Sequence, residues 1–263
     1  MSDVITIARF PHPTRNPLAW SLTLLLAGLA WIPTLQQTLG MLSMGMSGTM
    51  GMTLLPFLFF WTVMMAAMML PALAPTVSLQ MMSIRQQTAY PVVWLMHTVA
   101  FLLGYLLVWG LFGLPVFVFC LCIDHFMLSL PWLALGLGIL LFVGAGFYQF
   151  TPQKKRALLH CNATMNSCST CQSGTTDVSI RAQLREGLRH GVSCLQCCGI
   201  LMMVLIAVGL MNLWWMVILT VIIFLEKVWT RGHKLSSLLG FVLIFYGLLA
   251  FVSPWFLPGL YRP

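Results

Sequence analysis

The chain has 263 residues, of which 60% are hydrophobic and only 7% charged, and its formal net charge is +8. A soluble domain carries about a quarter charged residues, so a single water-facing core is excluded and an integral membrane protein is implied. In such a chain the positive balance reads as basic cytoplasmic loops rather than as a nucleic-acid surface.

A spanning helix needs about 20 apolar residues, because the hydrocarbon layer is roughly 30 Å thick. Seven segments meet this, at 18–35, 54–74, 91–121, 131–150, 194–211, 213–230 and 236–256. The fold class expected is therefore all-α, a polytopic bundle of about seven transmembrane helices, with residues 1–263 forming a single domain. The first segment follows Arg9 and Arg15, and no small-x-small cleavage site clearly follows it. It reads as a retained helix rather than a removed signal.

Between the first two segments lies a stretch in which Met41, Met44, Met46, Met50 and Met52 are spaced by glycine and serine. It is too polar and glycine-rich for a stable helix. Thioethers stay unprotonated and do not form disulfides, so Met44 and Met46 can hold Cu(I) in an oxidising compartment. The alternative is a docking surface of adaptable methionines. The second segment carries Trp61, Met64, Met65, Met68 and Met69 on an arc of about 140°. This is either a ladder for a soft ion or ordinary core filling.

The third segment contains His97 and Pro115 and leads into Cys120, Cys122, Asp124 and His125. A lone intramembrane histidine is hydrogen-bonded to a neighbour or completes a metal site. Glycines 136, 138, 144 and 146 in the fourth segment allow close helix approach. A polar stretch follows, expected as a cytoplasmic loop over 151–190, with Cys161, Cys168 and Cys171. The fifth segment opens with Cys194, Cys197 and Cys198, and a tight hairpin at Met211 and Asn212 joins it to the sixth. Glu226 and Lys227 stand at the inner end of that sixth segment. An unpaired acid at mid-bilayer costs roughly 3 kcal/mol, so either partners or an interfacial position are expected for Glu226.

The basic residues fix the sidedness. With a cytoplasmic N-terminus, Arg9, Arg15, Arg85, Lys154, Lys155, Arg156, Arg181, Arg185, Arg189, Lys227, Arg231 and Lys234 are inside and only Arg262 is outside. Positive residues gather on the cytoplasmic side of membrane proteins.

This topology sorts the sulfur. Six of the eight cysteines fall within residues 161–198, all on the inner side. Cys194, Cys197, Cys198 and Met202 share an arc of about 140° on a helix. A C-x2-C pair and a C-x2-C-C run suit Cu(I) or zinc. The cytoplasm disfavours disulfides, and a thiol redox sensor is the remaining alternative.

Several of these residues carry a resemblance. Trp61, Met64, Ala67, Met68, Met69 and Pro71 form one motif. Tyr148, Gln149, Thr151, Pro152 and Lys154 form a second. Gly191, Cys194, Cys197, Cys198, Met202, Glu226 and Lys227 complete the pattern. Together they resemble the bacterial family of predicted metal-binding integral membrane proteins of otherwise unknown function. The resemblance implies a cysteine pair after the lysine; here its first position is Ala157 and only Cys161 matches.

The expectation is a multi-pass protein of the bacterial inner membrane that handles copper as Cu(I), with zinc as the second candidate ion. Affinity rising from thioether to thiolate would direct the ion inward. An assembly factor or auxiliary subunit, without transport, is the alternative. The lipid bilayer is the expected surrounding, and a membrane metalloenzyme or a copper chaperone the expected partner, with no nucleic acid. No catalytic constellation stands out, so an enzyme is not expected.

Overall fold

A computed structural model describes residues 17–42, 51–87, 90–166, 179–210, 212–229 and 232–252. Among these residues eight helices follow one another: α1 Pro17–Leu42, α2 Leu54–Gln87, α3 Pro91–Ser129, α4 Pro131–Phe150, α5 Pro152–Asn166, α6 Ile180–Val208, α7 Leu213–Val228 and α8 Gly232–Val252. Among the described residues there is no strand. Six of the helices among the described residues (α1 to α4, α6 and α8) are long and apolar enough to cross a membrane.

Local chemistry sets the boundaries. Pro91 and Pro131 open α3 and α4 at the first helical turn, where a missing N–H costs nothing. Thr151 caps α5 by accepting from the Lys154 backbone N–H at 3.3 Å. Gly209 ends α6 with φ 105°, a conformation that favours glycine. Three residues on, the Asn212 side chain accepts from Trp215 N at 3.4 Å and starts α7.

Two differences from the sequence expectation matter for the site. First, the polar stretch expected as a loop over 151–190 holds α5, and α6 already begins at Ile180 rather than at 194. Hydropathy marks where a chain is apolar, whereas the helix continues into polar residues. Second, α7 has 16 residues, about 24 Å at 1.5 Å per residue. That falls short of the roughly 30 Å hydrocarbon layer. The sixth expected segment thus matches α7 closely but is too short to span, and near its end Glu226 and Lys227 are buried inside the bundle.

Helix α2 packs against α1, α3 and α7, α3 packs along α6, and α4 packs along α8. Helix α5 lies against α6, α4 and α7. Gly187 faces Phe101 and Gly191 faces Val108, so α3 and α6 run side by side in the same direction. A Cβ on Gly187 would collide with the Phe101 carbonyl oxygen, and one on Gly104 with that of Leu184. Backbone atoms cannot rotate away. Gly187→Leu is therefore expected to force α3 from α6 and cost at least the 1–3 kcal/mol typical of overpacking. Thermal unfolding in detergent checks this. At the basic end of the bundle the Gln80 side-chain amide donates to Gln183 Oε1, tying α2 to α6.

A candidate thiol centre at the inner end of α7

Four thiols gather where α5, α6 and α7 meet. Cys194, Cys197 and Cys198 are fully buried on α6, and Cys161 of α5 is buried against them. The Cys194 and Cys198 sulfurs are 3.6 Å apart. Cys197 lies within hydrogen-bonding reach of both Cys198 and Cys161. The order is thus Cys194, Cys198, Cys197, Cys161, a chain of neighbours rather than a ring. Among the described residues, no three of His, Cys, Asp and Glu converge into a ready-made metal cage. Two sulfurs that share one ion at about 2.3 Å stand about 3.8 Å apart at a tetrahedral angle and farther apart at a trigonal or linear one, so the pair would open slightly around Cu(I).

The spacing on α6 explains the arrangement. Residues four apart lie one above the other, so Cys194 and Cys198 face the same neighbour. Cys198 also donates to the Cys194 carbonyl oxygen at 3.0 Å. Cys197, rotated by about 100° from Cys198, faces α5 instead.

Two donors converge on Cys194. Lys227 Nζ is 2.8 Å from its sulfur, and the Tyr105 hydroxyl is 3.1 Å away. Both are buried. Donors of this kind favour the thiolate, the form that ligates a metal. A second cation, Lys154 of α5, is also fully buried. Its ammonium donates to the Cys197 carbonyl oxygen at 2.6 Å and pairs with Glu226 Oε2 at 2.9 Å. Burial alone would push this ammonium down, but Cys197 and Glu226 beside it outweigh that and hold it above its ordinary value. A hydrogen bond with Cys197, followed by burial, raises the Cys161 thiol well above its ordinary range. Cys161 therefore keeps its proton and donates.

Glu226 and Lys227 are neighbours in sequence with different partners. One turns to Lys154 and the other to Cys194, as a 100° step on a helix requires. The partner expected for a buried Glu226 is Lys154, which the sequence placed on a polar loop. The signal was present in the motif Thr151, Pro152, Lys154, where a capped helix start brings the lysine to the same α6 segment.

The other expected residues divide. Met64, Met65, Met68, Met69 and Met202 are all fully buried. Met69 is 11 residues from Gln80 and Cys194 is 11 from Gln183, and those glutamines touch. The rise per residue then sets Met69 at about the height of Cys194 on antiparallel helices. The inner end of the methionine stripe is accordingly level with the thiols, and Met64 and Met65 lie about one turn farther along α2. His97 engages the Val93 carbonyl oxygen through Nδ1 at 2.6 Å. Cys120 and Cys122 are free, the first buried and the second exposed. Met44, Met46, Cys168 and Cys171 lie outside the described residues.

The donor set is chemically uniform. Four thiols in an apolar setting, with two ammonium groups nearby, make a sulfur site suited to a soft ion. A family model described as PpoB2, copper chaperone, matches residues 58–250, which include all four thiols, Lys154, Glu226 and Lys227. No curated protein and no solved structure matches the chain.

Proposed function

The chain belongs to the PpoB2 copper-chaperone family, and from that premise we propose that it binds Cu(I) as cargo at the buried thiols and delivers it at the bacterial inner membrane. The observation that carries this reading is the Cys194–Cys198 pair, 3.6 Å apart and approached by Lys227. Sulfur ligands select Cu(I) over harder ions. Cu(I) is satisfied by two or three thiolates, so a chain of paired thiols serves it better than a closed four-ligand cage would. Cys197 and Cys161 then continue the path from the buried pair toward α5 and the polar side.

Delivery to a membrane metalloenzyme, without unaided transport, is the form of this function that a chaperone family favours. The protein supplies ligands and assigns no catalytic step to any residue. Met64, Met65, Met68 and Met69 accompany the site as soft neighbours in this reading, and Met44 and Met46 would collect the ion on the opposite face.

The full chain, purified in detergent and titrated with Cu(I) against a chromophoric chelator, is expected to retain about one ion per chain. X-ray absorption should show sulfur alone in the first coordination sphere. A protein that loses all Cu(I) to the chelator, or binds it through nitrogen or oxygen, would overturn the reading. Reconstitution in liposomes separates the two modes: uptake by the protein alone favours transport, and uptake only with an acceptor present favours delivery.

A further inference from the structure

Lys227 carries the charge at this site that nothing acidic balances. Lys154 and Glu226 form an ion pair at 2.9 Å and cancel. Among the described residues no carboxylate lies in ion-pair contact with Lys227. Lys227 as a residue is only 3% exposed, too enclosed for water to screen its charge. Its nearest partner is Cys194 Sγ at 2.8 Å, and Tyr105, Cys161 and Cys198 stand around it.

We propose that Lys227 is the residue that selects the charge of the cargo, admitting a monovalent soft cation and rejecting a divalent one. This rests on the reading that the Cys194–Cys198 pair holds the metal. Sulfur alone does not make this choice, because thiolates bind Cu(I) and also divalent ions such as zinc and cadmium. A fixed ammonium does. The Coulomb penalty it imposes on an incoming ion is proportional to that ion's charge, and it is large at a few ångströms in a poorly screened site.

Charge counting gives the same result. Two thiolates, the Lys227 ammonium and one monovalent ion sum to zero. A divalent ion in the same place leaves one positive charge uncompensated in the apolar interior, which is costly. A third thiolate would restore neutrality, but among the described residues no three of the thiols are arranged to hold one ion together. The position of the ammonium is also enforced. Helix α7 ends at Val228, so the Lys227 side chain is delivered to the height of Cys194 by the shortness of the helix. Glu226, one residue earlier, pairs with Lys154 through Oε2 rather than with Lys227.

The test uses the full chain in detergent and two probe ions, Cu(I) and Cd(II), each titrated by chelator competition. The variants are Lys227→Met, which keeps length and removes charge, and Lys227→Arg, which restores charge. Lys227→Met is expected to lower the preference for Cu(I) over Cd(II) by about 100-fold or more, chiefly through tighter Cd(II) binding. Lys227→Arg should stay within about tenfold of the unaltered protein. A sulfur-to-cadmium charge-transfer band should strengthen in the methionine variant alone. Should that variant fail to fold, Lys227→Gln makes the same comparison. A neutral variant that binds Cu(I) with an unchanged preference over Cd(II) would overturn the inference and leave the copper reading standing. An unaltered protein that binds no Cu(I) would instead sink the copper reading, and this inference with it.

Discussion

Replacing Cys194 and Cys198 together with serine is expected to bring the copper retained by the purified protein down to background while leaving the fold in place. Both residues are fully buried, so the ligands removed cannot be replaced from solvent. Serine is nearly isosteric, yet its hydroxyl is a hard donor that Cu(I) binds poorly. The fold should tolerate the change. Cys198 already donates to the Cys194 carbonyl oxygen at 3.0 Å, a bond that serine makes as readily four residues along a helix. The affinity loss should exceed the roughly 10–100-fold that changes outside the ligand shell produce.

Graded comparisons strengthen the test. Cys161→Ser removes the far end of the thiol chain and leaves the 3.6 Å pair intact, so most of the equilibrium affinity should survive and release to an acceptor should slow. Tyr105→Phe takes one hydrogen bond of 3.1 Å from Cys194, an effect of about 1 kcal/mol. Metal content by mass spectrometry and Cu(I) competition titrations read all three. Unchanged copper content in the double serine variant would remove the pair from the site, whatever the other thiols do.

The sequence carried the α6 half of this centre and named Lys154, Glu226 and Lys227, but not how they pair. Cys194, Cys197 and Cys198 were placed together because helical periodicity acts within one segment. Their burial follows from the same apolar run that marks a span. The arrival of Cys161 is a contact between segments, and periodicity says nothing of those. Lys154 stands in the sequence as a cytoplasmic charge and as the end of the Tyr148–Lys154 motif, with no sign of its partner. It is fully buried because α5 folds as a capped helix against α6 instead of remaining a loop. The expected spans at 54–74 and 194–211 were shorter than α2 and α6 for a related reason. Polar residues such as Gln80, Arg85, Gln183 and Arg185 end an apolar window but not a helix. The span at 213–230, by contrast, lay close to α7, and what it concealed was that a helix so short leaves Glu226 and Lys227 inside the bundle.

Glu226→Gln is expected to destabilise the protein by about 3–5 kcal/mol, the range found when one partner of a buried ion pair is removed. Lys154 is fully buried, and without the carboxylate its ammonium keeps only the Cys197 carbonyl oxygen at 2.6 Å. Lys154→Met should cost a similar amount, because it strands the carboxylate. The double variant Lys154→Met with Glu226→Leu decides between two roles for the pair. Apolar residues of similar volume in place of a buried pair are often neutral or stabilising by about 1–4 kcal/mol, so thermal unfolding should recover most of the loss. Copper binding need not follow. The bond from Lys154 to the Cys197 carbonyl oxygen fixes α5 against the thiol-bearing turn of α6, and that bond is absent in the double variant. Stability restored with weakened Cu(I) retention would make Lys154 a positioning residue for the thiols. Stability and retention restored together would make the pair a structural device that binds α5 to α7. Because Lys154 holds the Cys197 carbonyl oxygen whereas Lys227 reaches the Cys194 sulfur, the double variant should leave the Cu(I)-over-Cd(II) preference unchanged. That separates the residue that selects the ion from the residues that hold its ligands in place.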